Sequence, residues 1–255
     1  MSNIGGKIGK KLIGLVAAGI VIHIIWILAS LWMQRNILPM PTVVYRSFPR
    51  LLNNNLGAHM MVSLYRVFVS MGISILLGFF IGWLMGTSKK LDMLFDPILY
   101  LTYPVPKMAL LPIVMLLFGL GDASKIIMIV MITLPQVILA VRDAIRNIPE
   151  HLYDIYECLQ ANKWQKFRYI TFPASFYALL STSRISLGTA ISVLFFTETY
   201  GTTRGMGFFI MDSWMRMDYP SMYLSIIILS VMGLILFLLI DLLGVYTLRW
   251  QKTEE

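Results

Sequence analysis

Six apolar stretches, each long enough to cross ~30 Å of hydrocarbon as a helix, dominate this sequence. Only 13% of the residues are charged and 58% are hydrophobic, which leaves too few charges to cover a soluble globule of 255 residues. We therefore predict an all-α polytopic membrane protein with about six transmembrane helices. The stretches lie at approximately 12–33, 61–86, 91–119, 124–143, 173–199 and 222–247.

The formal charge of +8 comes from basic residues that lie between the apolar stretches, so lipid is a better partner for them than nucleic acid. The single cysteine, Cys158, excludes an internal disulfide framework. The three histidines lie too far apart for a local metal motif. The first stretch follows Lys7, Lys10 and Lys11 but exceeds a signal-peptide core and has no small-x-small cleavage site, so we expect a retained helix.

Basic residues are distributed unevenly between alternate connecting segments. A cytoplasmic N-terminus places the tail, the 87–90 turn, the 144–172 loop and the C-terminus inside, with 12 Lys and Arg if boundary residue Arg142 is included. The outer segments 34–60 and 200–221 hold five, namely Arg35, Arg46, Arg50, Arg204 and Arg216. The positive-inside rule therefore predicts both termini in the cytoplasm.

Two stretches carry packing signals. The third contains Pro97, Pro104, Pro106 and Pro112, which predict either a broken helix facing the bundle interior or a kinked packing helix. In the second, a small residue every fourth position forms one groove, against which another helix should pack closely. The groove residues are Ser70, Ser74, Gly78, Gly82 and Gly86.

The longest inner segment, 146–172, has the pattern of an amphipathic helix pair. Apolar residues recur mostly at steps of three or four, with charged residues around them. Taken alone, the pattern fits a helix on the inner leaflet or a docking element for a soluble partner. The loop resembles the coupling loop of ATP-binding-cassette (ABC) importer permeases, whose pattern is Glu-Ala-Ala, a later Gly and a Leu-Pro. The matching positions are Asp154, Ile155, Tyr156, Gln160, Phe172 and Pro173.

The resemblance departs from the pattern at its signature residues. Asp154 replaces Glu, neither Ala is present, and Gln160 stands where Gly is expected. Because Gln accepts positive φ poorly, a tight turn at this position is in question, although a different turn could serve. Residues 103–126 and 183–210 also resemble the nitrate, sulfonate, taurine and pyrimidine-precursor permeases. The resemblance covers roughly 60–248, and we expect one domain, 1–255, with a helix and outer loop at 1–60 before the permease core.

The resemblance implies a type I importer bundle in the bacterial inner membrane without its own ATPase. The phosphate-binding motif GxxxxGK[ST] is absent from the sequence, so partner ATPase subunits would bind ATP and Mg²⁺ and this chain would hold no cofactor. Two ATPase subunits imply a second permease chain, in a homodimer or a heterodimer. A solute-binding protein outside the membrane would deliver a small, polar or anionic organic solute.

The resemblance also implies roles for individual residues. In the coupling loop, Trp164 and Phe167 would fill an apolar groove on the ATPase, and Pro173 would stop the loop helix. The residues expected to couple the chain to the ATPase are Asp154, Ile155, Tyr156, Leu159, Gln160, Ala161, Trp164, Phe167 and Pro173.

Ionisable residues inside spans are costly and mark candidate functional sites. Lys107 and Arg184 could attract an anion, pair with a carboxylate or extend to headgroups. Glu198 could serve an outer gate or lie at the membrane interface, and Asp241 could cap or partner a neighbouring helix. Arg184 and Glu198 lie ~21 Å apart along one helix and so cannot pair with each other, although either could meet a residue on another span. The candidates for the translocation path are Lys107, Arg184 and Glu198.

Other functions find less support in the sequence. No HExxH or GxSxG motif marks a membrane enzyme. An ATP-independent secondary carrier is one alternative, but the internal repeat typical of many carriers is not visible. The coupling subunit of a vitamin importer is another alternative. The single loop and the Gly205-Met206-Gly207 segment favour the ordinary permease.

Overall fold

The computed structural model describes residues 2–33 and 37–247. The described residues form twelve α-helices and no strand. Arg35 and residues 248–255, which entered the predicted charge asymmetry, lie outside this part. The helices, numbered in chain order, are α1 Ser2–Met33, α2 Pro41–Arg46, α3 Phe48–Asn53, α4 Leu56–Thr87, α5 Lys89–Thr102, α6 Leu111–Phe118, α7 Asp122–Arg146, α8 Glu150–Cys158, α9 Lys163–Lys166, α10 Phe172–Glu198, α11 Met206–Met215 and α12 Tyr219–Thr247.

Five of the helical segments are long and apolar enough to cross a membrane, and a bent pair brings the number to six. The all-α polytopic prediction is thereby confirmed. The bent pair is α5 and the segment Lys107–Phe118, which meet at 81° across the proline-rich break. A broken helix is therefore correct for the third stretch. Every residue from 101 to 106 is exposed in this chain, and the expected position of the break toward the bundle interior stays a prediction.

The chain divides into two compact units. The first lies within residues 1–57 and 209–228. There the Trp26 indole donates to the carbonyl of Pro39 at 3.1 Å and lies 5.9 Å from the Tyr223 ring. Val44 and Leu51 are fully buried in the chain, whereas most of the side chains described in α1, from Ile13 onward, are exposed and apolar, as expected of a helix in lipid.

The second unit, within residues 58–208 and 229–247, carries the main core. Parts of α4, α6, α7, α10 and α12 bury one apolar cluster, which includes Met71, Val114 and Leu194. A second cluster, which includes Val141 and Ile170, lies where the α8–α9 segment joins the bundle. The organisation of 1–255 as one domain stays a prediction.

The small-residue groove on α4 is occupied by α7. A Cβ atom added to Gly82 would lie 2.6 Å from the carbonyl oxygen of Ile138, and one added to Gly78 would lie 2.6 Å from a methyl group of Val137. Ser74 Oγ and Thr133 Oγ1 share a 2.7 Å hydrogen bond in the same contact. The groove thus brings the two backbones together, as small residues do between membrane helices.

The remaining groove residues are Gly86, which also lies against α7, and Ser70, which bonds within α4. A Cβ on Gly86 would lie 2.8 Å from the Cβ of Ile145 on α7. Ser70 is fully buried and donates to the carbonyl of Arg66, one turn earlier in α4. Close approach of α4 and α7 fixes the position of the segment that follows α7.

Candidate functional site

The segment between α7 and α10 forms a short helical hairpin from α8 and α9, which we call the coupling hairpin (residues 150–166). At its turn, Gln160 N donates to Glu157 O at 2.8 Å and Ala161 N donates to Tyr156 O at 2.9 Å. These two bonds define a Schellman motif, which ends a helix with one left-handed residue. That residue is Gln160, at φ 55°. The tight turn left open by the sequence therefore forms without glycine.

The second half of the coupling hairpin begins with a capping box. Asn162 Oδ1 accepts from Gln165 N, and Gln165 Oε1 accepts from Asn162 N, both at 2.8 Å. Reciprocal bonds of this kind satisfy donors that a helix start leaves free. Lys166 then reaches back to Glu157 on α8, with 2.6 Å between the ammonium nitrogen and the carboxylate oxygen. The Lys166 hydrogen bond holds the pKa of the Glu157 carboxyl below its usual value.

One side of the coupling hairpin exposes apolar side chains. Leu159 is 71% exposed and Trp164 is 64% exposed, with Ile155 and Asp154 also at the surface. Tyr156 stacks on Tyr169 with ring centroids 6.4 Å apart. An open cleft of about 230 Å³ lies beside this pair. It is lined by Tyr156, Leu159, Ala161, Gln165 and Tyr169.

Phe167 is half-buried and packs against the bundle, and its expected contact with an ATPase groove stays a prediction. Its ring centroid lies 5.3 Å from that of Trp83 on α4 and 5.9 Å from that of Phe172. Trp164 stacks on the other side of Phe167 at 5.5 Å. Burial of the aromatic ring against Trp83 and Phe172 favours the inward position. Phe167 thus connects the exposed Trp164 to the membrane helices.

Pro173 does not stop the loop helix, which corrects the expectation from the sequence. A π-helical segment, Phe167–Thr171, joins α9 to α10, so the helix continues from Lys163 to Glu198. Phe172 N donates to Phe167 O, five residues back. A proline lacks the N–H and its ring clashes with the carbonyl four residues earlier, and the wider π turn accommodates both effects. The coupling hairpin and α10 are therefore connected through one uninterrupted helix.

Glu198, a candidate for the translocation path, is fully buried in this chain and therefore lines no open path within it. Its carboxylate accepts from Ser63 Oγ, from Arg66 Nη1 and from Gly207 N, each at 2.8 Å. A charge at membrane depth requires such partners. Arg66, 3% exposed, also pairs with Asp122 at 2.6 Å.

The same network holds the segment that follows α10. Met206 N donates to Ser63 Oγ at 2.8 Å, and Arg66 donates to the carbonyl of Arg204 at 3.0 Å. A Cβ at Gly205 would lie 2.4 Å from the Glu198 carboxyl carbon, and its φ of +123° also favours glycine. Glu198 therefore fixes the Gly205–Gly207 segment at the end of α10 opposite the coupling hairpin.

The two basic candidates differ in their surroundings. Arg184 Nε lies 2.6 Å from Asp241 Oδ1 on α12, so its charge is balanced within the chain. Arg184 and Glu198 thus each meet a residue on another helix. Lys107 lies at the start of the short 3₁₀ turn Lys107–Leu110, with its ammonium 5.5 Å from the centre of the Tyr103 ring. Within the described residues, Lys107 has no carboxylate partner.

Sequence comparison decides the family. The profile of the family described as "Binding-protein-dependent transport system inner membrane component" matches residues 74–249. The chain belongs to this family. Its matched region contains the coupling hairpin, α10 and all of α12.

Three curated relatives illustrate the similarity. A protein named as the aliphatic sulfonates transport permease of Bacillus subtilis (strain 168) is 29% identical over 244 residues, which cover 95% of this chain and 88% of the relative. The taurine transport system permease of Escherichia coli (strain K12) is 28% identical over 64% of this chain and 59% of its own length. The formylaminopyrimidine transport permease of Halalkalibacterium halodurans is 25% identical over 92% of this chain and 94% of its own.

A solved structure shares the fold of this permease. An inward-facing structure of the MetNI methionine ABC transporter contains a chain that superimposes with a TM-score of 0.56 at 17% identity, over 75% of this permease and 95% of that chain. Together the comparisons identify the membrane permease subunit of an ABC importer, a multi-pass protein of the inner membrane. The family is a membrane component and not an enzyme.

Some residues of the permease escaped the sequence analysis. Lys125 is fully buried near the start of α7, where it donates to the carbonyls of Leu120 and Gly201. Its place just inside the fourth apolar stretch was an available signal. Ser63, by contrast, gives no sequence signal, because only the fold brings it to Glu198.

Proposed function

We propose that this permease works as one of two membrane chains in a four-chain core and imports a small polar or anionic organic solute. Separate ATPase subunits would bind ATP and Mg²⁺ and hydrolyse ATP. A solute-binding protein outside the membrane would deliver the solute. Both termini of the permease would lie in the cytoplasm, on the side of the coupling hairpin.

The observation that carries this proposal is the two-sided coupling hairpin. Leu159 and Trp164 are exposed on a segment whose charged neighbours place it in water. Removing these apolar side chains from water lowers the free energy, so a partner that covers them is favoured. On its other side the hairpin connects through Phe167 to Trp83 and through a continuous helix to α10. Such an element can transmit a push from an ATPase to the membrane helices.

The exposed side of the coupling hairpin and the side that connects to the bundle would have different roles. Asp154, Ile155, Leu159 and Trp164 would contact the ATPase, and the cleft beside Tyr156, Ala161 and Gln165 would accept one of its side chains. Gln160 would set the angle of the turn. Phe167 and Pro173 would connect the hairpin to α10.

The proposed solute class rests on relatives and on one side chain. Two of the relatives are named for sulfonates and taurine, both of which carry a sulfonate group. Of the two basic candidates for the translocation path, Lys107 has no carboxylate partner within the described part of the chain, whereas Arg184 has one. Arg184 is neutralised by Asp241, so we assign anion attraction to Lys107 and a structural ion pair to Arg184.

The proposed role of the coupling hairpin as a lever, which transmits the push of the ATPase to the membrane helices, can be tested by measuring ATPase association and transport separately. In a purified importer, Trp164→Ala and Asp154→Lys should lower ATPase association, with an expected loss of ~2 kcal/mol or more for an aromatic anchor. Phe167→Ala should retain association but lower transport per ATP hydrolysed, because Phe167 faces the bundle. Trp214→Ala, which removes another exposed tryptophan, is the matched control.

Co-purification and uptake measurements decide between the possible outcomes. We expect all four variants to insert into the membrane at the parent level. Normal ATPase association in both Trp164→Ala and Asp154→Lys would overturn the lever role. For the solute, mass spectrometry of proteins that co-purify with the tagged permease would identify the binding protein and its ligand. Lys107→Gln should then raise the KM for an anionic solute, and an unchanged KM would refute the role of Lys107.

A further inference from the structure

A cavity of about 410 Å³ lies between the coupling hairpin and the ends of α4 and α7. Its volume falls within the ~300–1,000 Å³ range of small-molecule sites. Trp83 and Thr87 line it from α4, Ile145 from α7, and Lys163, Lys166 and Phe167 from the hairpin side. It is distinct from the exposed apolar surface assigned above to the ATPase.

The charge of this cavity is positive. Lys163 and Lys166 are three residues apart and so share one face of α9, and among the described residues no carboxylate lines the cavity. Lys166 also forms an ion pair with Glu157, which does not line the cavity. Lys163 has no acidic partner in the described chain. Hydroxyl groups of Thr87 and of the Tyr153–Thr171 pair, 2.9 Å apart, complete the polar wall. The Thr87 hydroxyl already donates to the carbonyl of Trp83 at 2.8 Å, so the two lysine ammonium groups are the donors that suit a phosphate group.

An exposed apolar stripe on α4 leads to the cavity. Leu76, Phe80 and Trp83 follow one another at steps of four and three and therefore lie on one face of the helix. Leu76 is 72% exposed and Phe80 is 54% exposed, and the Phe80 ring lies 6.2 Å from that of Trp83. An acyl chain can lie along this stripe while its headgroup reaches Lys163.

The depth of the cavity in the membrane agrees with such a ligand. It lies at the last turn of membrane-spanning α4, immediately before the exposed Lys89 and Lys90. Tryptophan and lysine at a helix end are typical of the headgroup region. We propose that this cavity binds the phosphate headgroup of an anionic phospholipid, with an acyl chain on the Leu76–Phe80 stripe. The lipid would bridge α4 and the coupling hairpin.

Native mass spectrometry of the intact permease, with phosphatidylglycerol or phosphatidylcholine titrated into mild detergent, tests the proposal. We expect phosphatidylglycerol to be retained preferentially and the Lys163→Gln/Lys166→Gln variant to bind it about tenfold more weakly, a loss of ~1.4 kcal/mol. Lys89→Gln/Lys90→Gln removes the same charge at the same end of α4 and should bind nearly as the parent does. Phe80→Ala should weaken lipid retention, whereas Phe68→Ala, at another exposed position on α4, should not.

Three outcomes would overturn the proposal. Equal weakening by the two lysine pairs would show general attraction of anionic lipid to a basic surface. Competition by inorganic phosphate as effective as that by phosphatidylglycerol would show a site for a free anion. Protection of Lys163 from chemical labelling by the ATPase, but not by phosphatidylglycerol vesicles, would assign the cavity to the protein partner. The parent's lipid retention does not depend on which solute is transported, so failure of the transport proposal would leave it unchanged.

Discussion

The contact between α4 and α7 can be tested with a single methyl group. Replacing Gly82 by Ala would place a Cβ 2.6 Å from the carbonyl oxygen of Ile138 and 2.8 Å from the Cβ of Val141. Ordinary van der Waals contact begins near 3.4 Å, so a contact of 2.6 Å requires the two helices to move apart. The nearest obstacle is backbone, which no rotamer change can move.

The expected cost follows from this geometry. Overpacking a well-packed contact costs about 1–3 kcal/mol, and the backbone obstacle favours the upper part of that range. At about 2–4 °C per kcal/mol for a chain of this size, a cost of about 2–3 kcal/mol should lower the midpoint of thermal unfolding of Gly82→Ala by about 4–12 °C. Separation of the helices should also weaken the Ser74–Thr133 hydrogen bond, which lies in the same contact.

Gly72 supplies the matched control within the same helix. A Cβ at Gly72 would meet nothing within 4 Å. Gly72→Ala should therefore be neutral or slightly stabilising, because Ala favours a helix over Gly. The assay is a tryptophan-fluorescence melt of both variants and the parent in the same detergent. Equal midpoints for Gly82→Ala and Gly72→Ala would refute the close helix contact.

Three further predictions concern the buried charges and the coupling hairpin. Arg66→Met should lower the free energy of unfolding by about 3–5 kcal/mol, because it leaves Glu198 buried without its cation. Adding Glu198→Gln should recover part of this stability in thermal melts. Strictly additive losses in the double variant would contradict the pairing. Gln160→Gly should slow hydrogen exchange across the hairpin, because glycine accepts φ 55° without the ~1 kcal/mol cost of another residue; faster exchange would argue against the left-handed turn. The lowered pKa of Glu157 means that its bond to Lys166 stabilises the hairpin above the ordinary carboxylate pKa and that this contribution is lost as pH falls through the folded value. The stability difference between the parent and Glu157→Gln should therefore narrow below about pH 4, as measured by Trp164 fluorescence, and a difference independent of pH would exclude the bond.

Local pattern was sufficient for the helices and for the family. Apolar runs of the required length indicated the spans, and the four prolines indicated the break between α5 and the Lys107–Phe118 segment. Periodic small residues on α4 indicated a close helix contact. These signals are readable because each depends on residues that are neighbours along the chain.

The sequence by itself determined that this protein is a membrane helix bundle with an amphipathic helix pair between two of its spans, because length, apolarity and spacing are local properties. Only the tertiary structure decided that α7 fills the α4 groove, that Glu198 is closed in by Ser63 and Arg66, and that Phe167 faces Trp83. Each of these contacts joins residues far apart in the chain. Periodicity shows that a side chain faces a neighbour, but the identity of that neighbour depends on how the helices assemble.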